Sequence, residues 1–194
     1  MKETYDKYIR LRPETQSALD QYRNRIEPGS KTLGVHFRGT DMKTAPHHPL
    51  PPSKAQMFKR IDYHLSESDF DGVFLVTEDE SYVESFLRRY GSARLKFLGI
   101  PREGKVKIFK EYPRSNHRYL LGLENLIETH ILAECGGIIC GHSGQSEFAL
   151  LLANHHQRVV EKIYNGVVPG NKFLAKYAYL YKSRAPRGLG GFKR

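Results

Sequence analysis

Three groups of residues have the types and spacing for chemistry on an anionic ligand. The first is His36-Phe37-Arg38-Gly39-Thr40-Asp41, directly after the apolar run Leu33-Gly34-Val35. Arginine offers planar donors that match phosphate oxygens two at a time. Asp41 is spaced to hold that guanidinium, and His36 adds an imidazole beside it. A phosphate or diphosphate site is one reading of the segment, and a structural Arg38–Asp41 ion pair at a strand end is the other. The second group is Cys140-Gly141-His142-Ser143-Gly144-Gln145-Ser146. Glycine lets a ligand approach the backbone, and small hydroxyl residues with free amides at a helix start suit phosphate. The segment lacks the Gly-Lys-Ser/Thr of a Walker loop, the Gly-x-Gly-x-x-Gly of a dinucleotide turn and the Gly-x-Ser-x-Gly of a hydrolase elbow. Alone, it reads equally as a capped helix start. The third group runs from Glu124 to His130, where Glu128 and His130 interrupt an otherwise apolar helical stretch. A glutamate can accept two hydrogen bonds from the N1 and N2 edge of guanine, and a solvent-facing acid is the plainer alternative.

These groups need a frame. Leu19, Tyr22 and Ile26 recur at helical spacing behind Pro13, which suits a first turn, and Pro28-Gly29 stops that helix. Apolar runs at 32–37, 73–76, 95–98, 137–140 and 159–163 predict five strands. Helices are predicted between them: from Ser53 as cap to residue 65, after the capping-box spacing of Thr77 and Glu80, over 120–134, and from Ser143 or Ser146 onward. Residues 44–53, with four prolines and two histidines, and the basic stretch 99–114 read as loops beside the site. Strands alternating with helices imply a parallel sheet with right-handed crossovers. The expected fold class is therefore α/β, a Rossmann-like doubly wound parallel sheet. One domain is expected over 1–194, with a leading helical segment at 1–30, an α/β core at 31–165 and a basic, partly flexible tail at 166–194.

The composition narrows the function classes. The chain has 194 residues, 39% of them hydrophobic and 27% charged, as in ordinary globular domains. No apolar run reaches the roughly 20 residues that span a bilayer, and Met1-Lys2-Glu3-Thr4 does not open a signal peptide. No membrane span and a cytoplasmic location are the expectations. Two cysteines, Cys135 and Cys140, fit no zinc pattern and read as reduced core thiols. The net charge of +10 calls for an anionic partner such as nucleic acid, anionic lipid or a nucleotide-linked substrate. Much of the excess lies after Asn171, in Lys172, Lys176, Lys182, Arg184, Arg187, Lys193 and Arg194, interleaved with Tyr177, Tyr179 and Tyr181. That interleaving is compatible with single-stranded nucleic acid and, more simply, with a solvated terminus.

Taken in order, the motifs resemble a known family. Gly34 to Asp41, then Val76-Thr77-Glu78-Asp79, Asn116-His117-Arg118-Tyr119, Ile127-Glu128-Thr129-His130 and Cys140 to Gln145 resemble the donor half of the GDP-fucose fucosyltransferases. The nearest subgroup is the α-1,6 type, including the nodulation enzymes, with the protein O-fucosyltransferases more distant. The likeness covers roughly 33–152. It implies the C-terminal donor domain of a GT-B glycosyltransferase, inverting and metal-independent, with GDP-fucose as donor substrate and no cofactor. By position, Arg38 would bind the β-phosphate and stabilise its growing charge as GDP leaves, and His36 would line the same site as a second catalytic residue. Asp41 would orient Arg38 or line the donor pocket. Glu78 and Asp79 would sit at the pocket rim, and Glu128 would read guanine. His142, Ser143, Gly144 and Gln145 would contact phosphate or ribose.

The chain departs from the family at three positions: Glu128 stands where the family has aspartate, Gly144 where serine is common, and Gly39 where a second arginine is frequent. About 30 residues precede the first strand, too few for an N-terminal acceptor domain. The acceptor, a glycan or protein-linked hydroxyl, would then be held by the loops at 44–53 and 99–114 or by a second subunit. The other readings are a GDP- or GDP-sugar-binding domain without transfer, or a truncated donor domain, and, third, an RNA-binding protein using the basic tail.

Overall fold

The computed structural model describes residues 2–104, 108–154 and 156–193. Of the basic loop at 99–114, residues 105–107 lie outside the described residues, as do Met1 and Arg194. The elements run α1 (Lys2–Tyr8), α2 (Pro13–Ile26), β1 (Thr32–His36), α3 (Lys54–Glu67), β2 (Gly72–Val76), α4 (Glu80–Arg94), β3 (Leu95–Lys96), α5 (His117–Glu134), β4 (Gly137–Gly141), α6 (Gly144–Ala153), β5 (Val159–Ile163) and α7 (Lys172–Arg184). Short 3₁₀ turns occupy Asp41–Lys43 and Arg187–Leu189.

The five strands form one all-parallel sheet in the order β3-β2-β1-β4-β5. Period-two alternation along each strand sends side chains to opposite faces. Leu33, Val35, Val73, Leu75 and Ile139 face α3 and α4, where Met57, Ile61, Val83 and Phe86 close one core. Phe74, Val76, Ile138 and Cys140 face the other way, onto Leu19 of α2, Ile127 and Ile131 of α5 and Ala149 of α6. Every residue of β1 is buried, which is what a central strand covered on both faces requires. The smaller cluster of Leu50, Val168, Ala175 and Phe192 fastens α7 and the chain end to the segment after β1.

Local chemistry sets the boundaries. Ser53 caps α3 in a complete capping box with Gln56. At α4 the cap is Asp79, which accepts from Ser81 N, and not Thr77; Thr77 Oγ1 instead accepts from Asp79 N at 3.2 Å. α4 breaks at Gly91, whose φ of 71° and ψ of 166° suit a residue without Cβ. The third strand is only two residues long, although Leu98 stays buried. α5 begins at His117, earlier than its apolar spacing predicts, behind Asn116 in the left-handed region. Both cysteines are free and buried; burial pushes both thiols up, Cys140 to about 11.

Candidate functional site

The chain runs outward from β1 to β2 and β3 on one side and returns to β4 and β5 on the other, so strand order switches between β1 and β4. The carboxyl ends of the two strands at such a point open a crevice in which doubly wound folds bind ligands. His36 ends β1 opposite Cys140 of β4, so the first and second sequence groups meet there.

Alternation puts His36 on the α6 side, where it is 2% exposed. Its Nδ1 lies 2.6 Å from Ser146 Oγ and 3.3 Å from Ser143 Oγ. Ser143 caps α6, its Oγ accepting from Ser146 N at 3.1 Å. Burial, with Arg38 adding repulsion, pushes the His36 imidazole down to about 4. It is therefore neutral near pH 7 and acts by hydrogen bonding, tying the end of β1 to the start of α6. Gly144 opens that helix with no atom within 4 Å of where a Cβ would lie, so the backbone there is open to a ligand.

Arg38 emerges one residue past Phe37. Its Nη2 lies 3.3 Å from Asp41 Oδ2, a loose pair on the exposed side, and its Nε lies 3.9 Å from Glu78 Oε1. Nε is buried without a hydrogen-bond partner among the described residues. Glu78 shapes the turn behind the arginine: its Oε1 accepts from Gly39 N at 3.0 Å, Thr40 N at 3.2 Å and Thr40 Oγ1 at 2.9 Å. Asp79 points the other way, capping α4 and lying 3.8 Å from Lys43 Nζ. Gly39 answers to packing. Tyr82 stacks on Phe37 at 4.0 Å between ring centroids, and a Cβ on residue 39 would fall 2.3 Å from the Tyr82 hydroxyl. The tyrosine fills the space in which a second arginine would have to start.

A cavity of about 140 Å³ opens between these groups and α5, lined by His36, Arg38, Glu78, Glu124, Glu128 and Gln145 among others. Glu128 is 5% exposed and its Oε1 has no hydrogen-bond partner among the described residues. Arg102 Nη2 is 3.7 Å away, held off because its guanidinium donates to the carbonyls of Thr77, Ile100 and Leu98 at 3.0, 3.0 and 2.8 Å. Burial pushes the Glu128 carboxyl up to about 8 against the pull of Arg102, with Glu124 and Glu78 adding to the rise. The cavity is therefore lined by a carboxyl whose Oε1 and an arginine whose Nε make no hydrogen bond among the described residues.

The remaining wall comes from the loop before α5. Arg114 donates twice to Glu124 at 2.6 Å, and its Nε donates to His117 Nδ1 at 3.2 Å. His117 Nε2 lies 2.8 Å from the Ile108 carbonyl, and Ile108 and Phe109 line the cavity. Arg102 and Arg114 escape sequence reasoning because both lie in an irregular basic stretch, and the partners that place them, Thr77 and Glu128 for Arg102 and Glu124 for Arg114, belong to other elements. The only available signal was their neighbourhood to Glu124 and Glu128. Gln145 lines the cavity from α6, donating to Asn125 O at 3.4 Å, whereas His142 lies outside it with its ring edge-on to Tyr164 at 5.2 Å. His36, Arg38, Glu78, Glu128 and Gln145 thus share one cavity, Ser143 and Gly144 form the adjoining helix start, Asp41 flanks Arg38, and Asp79 stands apart. Among the described residues, no three His, Cys, Asp or Glu side chains converge to hold a metal ion. No described helix is long and apolar enough to cross a membrane.

No protein-family model matches the sequence, and no curated protein matches it. Solved structures do share its fold. The NodZ fucosyltransferase from Bradyrhizobium matches 80% of this chain with a TM-score of 0.50 at 21% identity. A NodZ α-1,6-fucosyltransferase soaked with GDP-fucose matches 78% with a TM-score of 0.50 at 21% identity. POFUT1 in complex with GDP matches 80% with a TM-score of 0.53 at 12% identity. The match takes in 46%, 47% and 49% of those chains respectively, so this chain spans about half the length of the structures it resembles. At such identities the likeness is one of fold: the chain has a fucosyltransferase-like, Rossmann-like parallel α/β architecture.

Proposed function

We propose that this chain is the donor half of a metal-independent, inverting GT-B glycosyltransferase, binding GDP-fucose or a related GDP-sugar at the β1–β4 switch point. The observation that carries this reading is the one cavity lined by both Arg38 and Glu128, each with a buried polar atom that makes no hydrogen bond among the described residues. Buried polar groups are normally satisfied. A ligand that donates to the Glu128 carboxylate at one place and offers phosphate oxygens to the Arg38 guanidinium at another fits this lining, and a guanosine diphosphate has that pattern. The solved structures of like fold include complexes with GDP and with GDP-fucose.

In this mechanism Glu128, ionised, accepts from guanine N1–H and N2–H. The diphosphate lies against Arg38 and the open amides of α6 at Ser143 and Gly144, where the helix N-terminus favours negative charge. As the C1–O bond to the β-phosphate breaks, charge grows on the phosphate and is stabilised by donors already in place. Neutral His36 holds the α6 start in register. Glu78 and Asp41 hold the arginine and its turn. An acceptor hydroxyl attacks C1 from the opposite face and loses its proton to solvent as the new C–O bond forms, and inversion follows.

A second reading is a GDP-sugar-binding domain without transfer of its own, which the same Arg38–Glu128 cavity supports equally. Release of GDP from GDP-fucose, with water or an added glycan as acceptor, separates the two. Release by the wild-type chain and its loss in Arg38→Ala supports transfer. GDP binding without release favours the binding domain.

A further inference from the structure

The last residues of the chain carry charge of one sign. From Asn171 to Arg194 there are four lysines and three arginines and neither aspartate nor glutamate, so +7 of the net +10 sits here. Helix α7 gives that charge a shape. At about 100° per residue, Phe173, Leu174, Tyr177, Leu180 and Tyr181 share an arc of about 120°. Each of them is between 45% and 73% exposed. The Tyr181 hydroxyl donates to the Leu189 carbonyl at 2.8 Å, which sets exposed Leu189 beside this face. Lys172 and Lys176 flank the arc on one side, and Arg184 and Arg187 follow at its carboxyl end, all four exposed. We propose that this face docks α7 flat on a lipid surface rich in anionic headgroups. Its apolar side chains would enter the boundary between headgroups and acyl chains, and its cations would meet the negative surface. The proposal is independent of the donor-site reading.

The helix is a fixed part of the fold, so its exposed face is not that of a frayed end. Asn171 caps it, the side-chain Oδ1 accepting from Phe173 N at 2.9 Å and Leu174 N at 3.2 Å. On the opposite face, Ala175 and Tyr179 pack with Leu50, Val168 and Phe192, and the Tyr179 hydroxyl donates to Pro52 O at 3.2 Å. The support beneath is itself strapped, segment 44–53 to 166–168. His47 N donates to Val168 O at 3.1 Å, Val168 N to His48 O at 2.8 Å and Leu50 N to Gly166 O at 2.8 Å.

Charge and side-chain type together select the occupant. A second copy of this chain fits poorly, because joining α7 to α7 sets like charges against each other. A nucleic acid would take the cations and stack on the tyrosines, yet leave Leu174, Leu180 and Leu189 in water. An anionic lipid surface uses every part of the face. Aliphatic groups leave water, tyrosines sit at headgroup level and cations are drawn to the negative potential.

The test is sedimentation of the whole chain with vesicles of phosphatidylcholine alone and of phosphatidylcholine with about 30% phosphatidylserine. It compares wild type with Phe173→Ser/Leu180→Ser and Lys172→Glu/Lys176→Glu. Wild type is expected to bind the anionic vesicles at least about tenfold more tightly than the neutral ones, and to lose most of that preference in about 0.5 M salt. Each double variant is expected to weaken anionic-vesicle binding by about tenfold or more, with thermal melting and GDP titration as in wild type. No binding to anionic vesicles overturns the proposal, as does equal binding to both lipids or binding untouched by Phe173→Ser/Leu180→Ser. Where vesicle binding is absent, capture of a single-stranded RNA oligonucleotide, or a dimer that the same change dissociates, would identify the true occupant. Failure to bind GDP refutes the donor reading alone and leaves the vesicle result standing.

Discussion

If Glu128 reads guanine, GDP binding must remove a proton. The carboxyl is pushed from an ordinary 4.5 up to about 8 by burial that Arg102, 3.7 Å away and committed to three carbonyls, only partly offsets. Guanine donates from N1 and N2, so the ionised carboxylate is the form that binds. With a free-protein value of about 8, roughly one molecule in eleven is ionised at pH 7. Apparent GDP affinity is then expected to tighten about eightfold between pH 7.0 and 8.5, roughly 1.3 kcal/mol. Phosphate groups titrate near pH 6, below this window, so the ligand's own ionisation contributes little. The assay is titration calorimetry in two buffers of different ionisation enthalpy. At pH 7 about 0.9 proton is expected to leave per GDP bound. Affinity constant within twofold across the window, with a binding enthalpy indifferent to buffer, would refute the assignment of Glu128 as the base-reading group.

The same group has a consequence for stability. A folded value above the unfolded one means that ionising Glu128 costs stability as pH rises from about 4.5 through about 8. Glu128→Gln is therefore expected to melt higher than wild type, with the gap widening from pH 5 to pH 8.5 in thermal scans; a gap independent of pH contradicts this. Arg38→Ala is expected to lower kcat/KM for GDP release by on the order of 3 kcal/mol, the scale of a lost oxyanion donor, and turnover within threefold of wild type would be inconsistent with its role. Gly39→Ala places a Cβ 2.3 Å from the Tyr82 hydroxyl and should destabilise by about 1–3 kcal/mol, most of it recovered in the Gly39→Ala/Tyr82→Ala pair relative to Tyr82→Ala alone, as read by denaturant melts.

Much of this architecture is written in local patterns. The buried run ending at His36 predicts a central strand because both faces of β1 are covered, and its middle positions Leu33, Gly34 and Val35 are apolar or small. The Ser143 cap and the Ser53–Gln56 box are recoverable because caps are chemistry between near neighbours. What the sequence hides is partnership across distance. Thr77 and Asp79 both have cap chemistry, and packing of the β2–α4 turn selects Asp79. Arg102 looks like one more basic loop residue until its three carbonyl partners and Glu128 come together around it. The strap between 44–53 and 166–168 joins a proline-rich stretch to one more than a hundred residues later, and no periodicity announces it. The need for glycine at position 39 is visible only when Tyr82 is seen stacked on Phe37.

The most direct test of the account is calorimetric titration of the purified chain with GDP and with ADP, in EDTA, for wild type and Arg38→Ala. The account predicts binding of GDP at least about tenfold tighter than ADP, because the adenine edge presents no paired donors to Glu128, and loss of GDP binding in Arg38→Ala. Equal affinity for the two nucleotides, or GDP binding that survives Arg38→Ala, would contradict the assignment of this crevice as a guanosine diphosphate site.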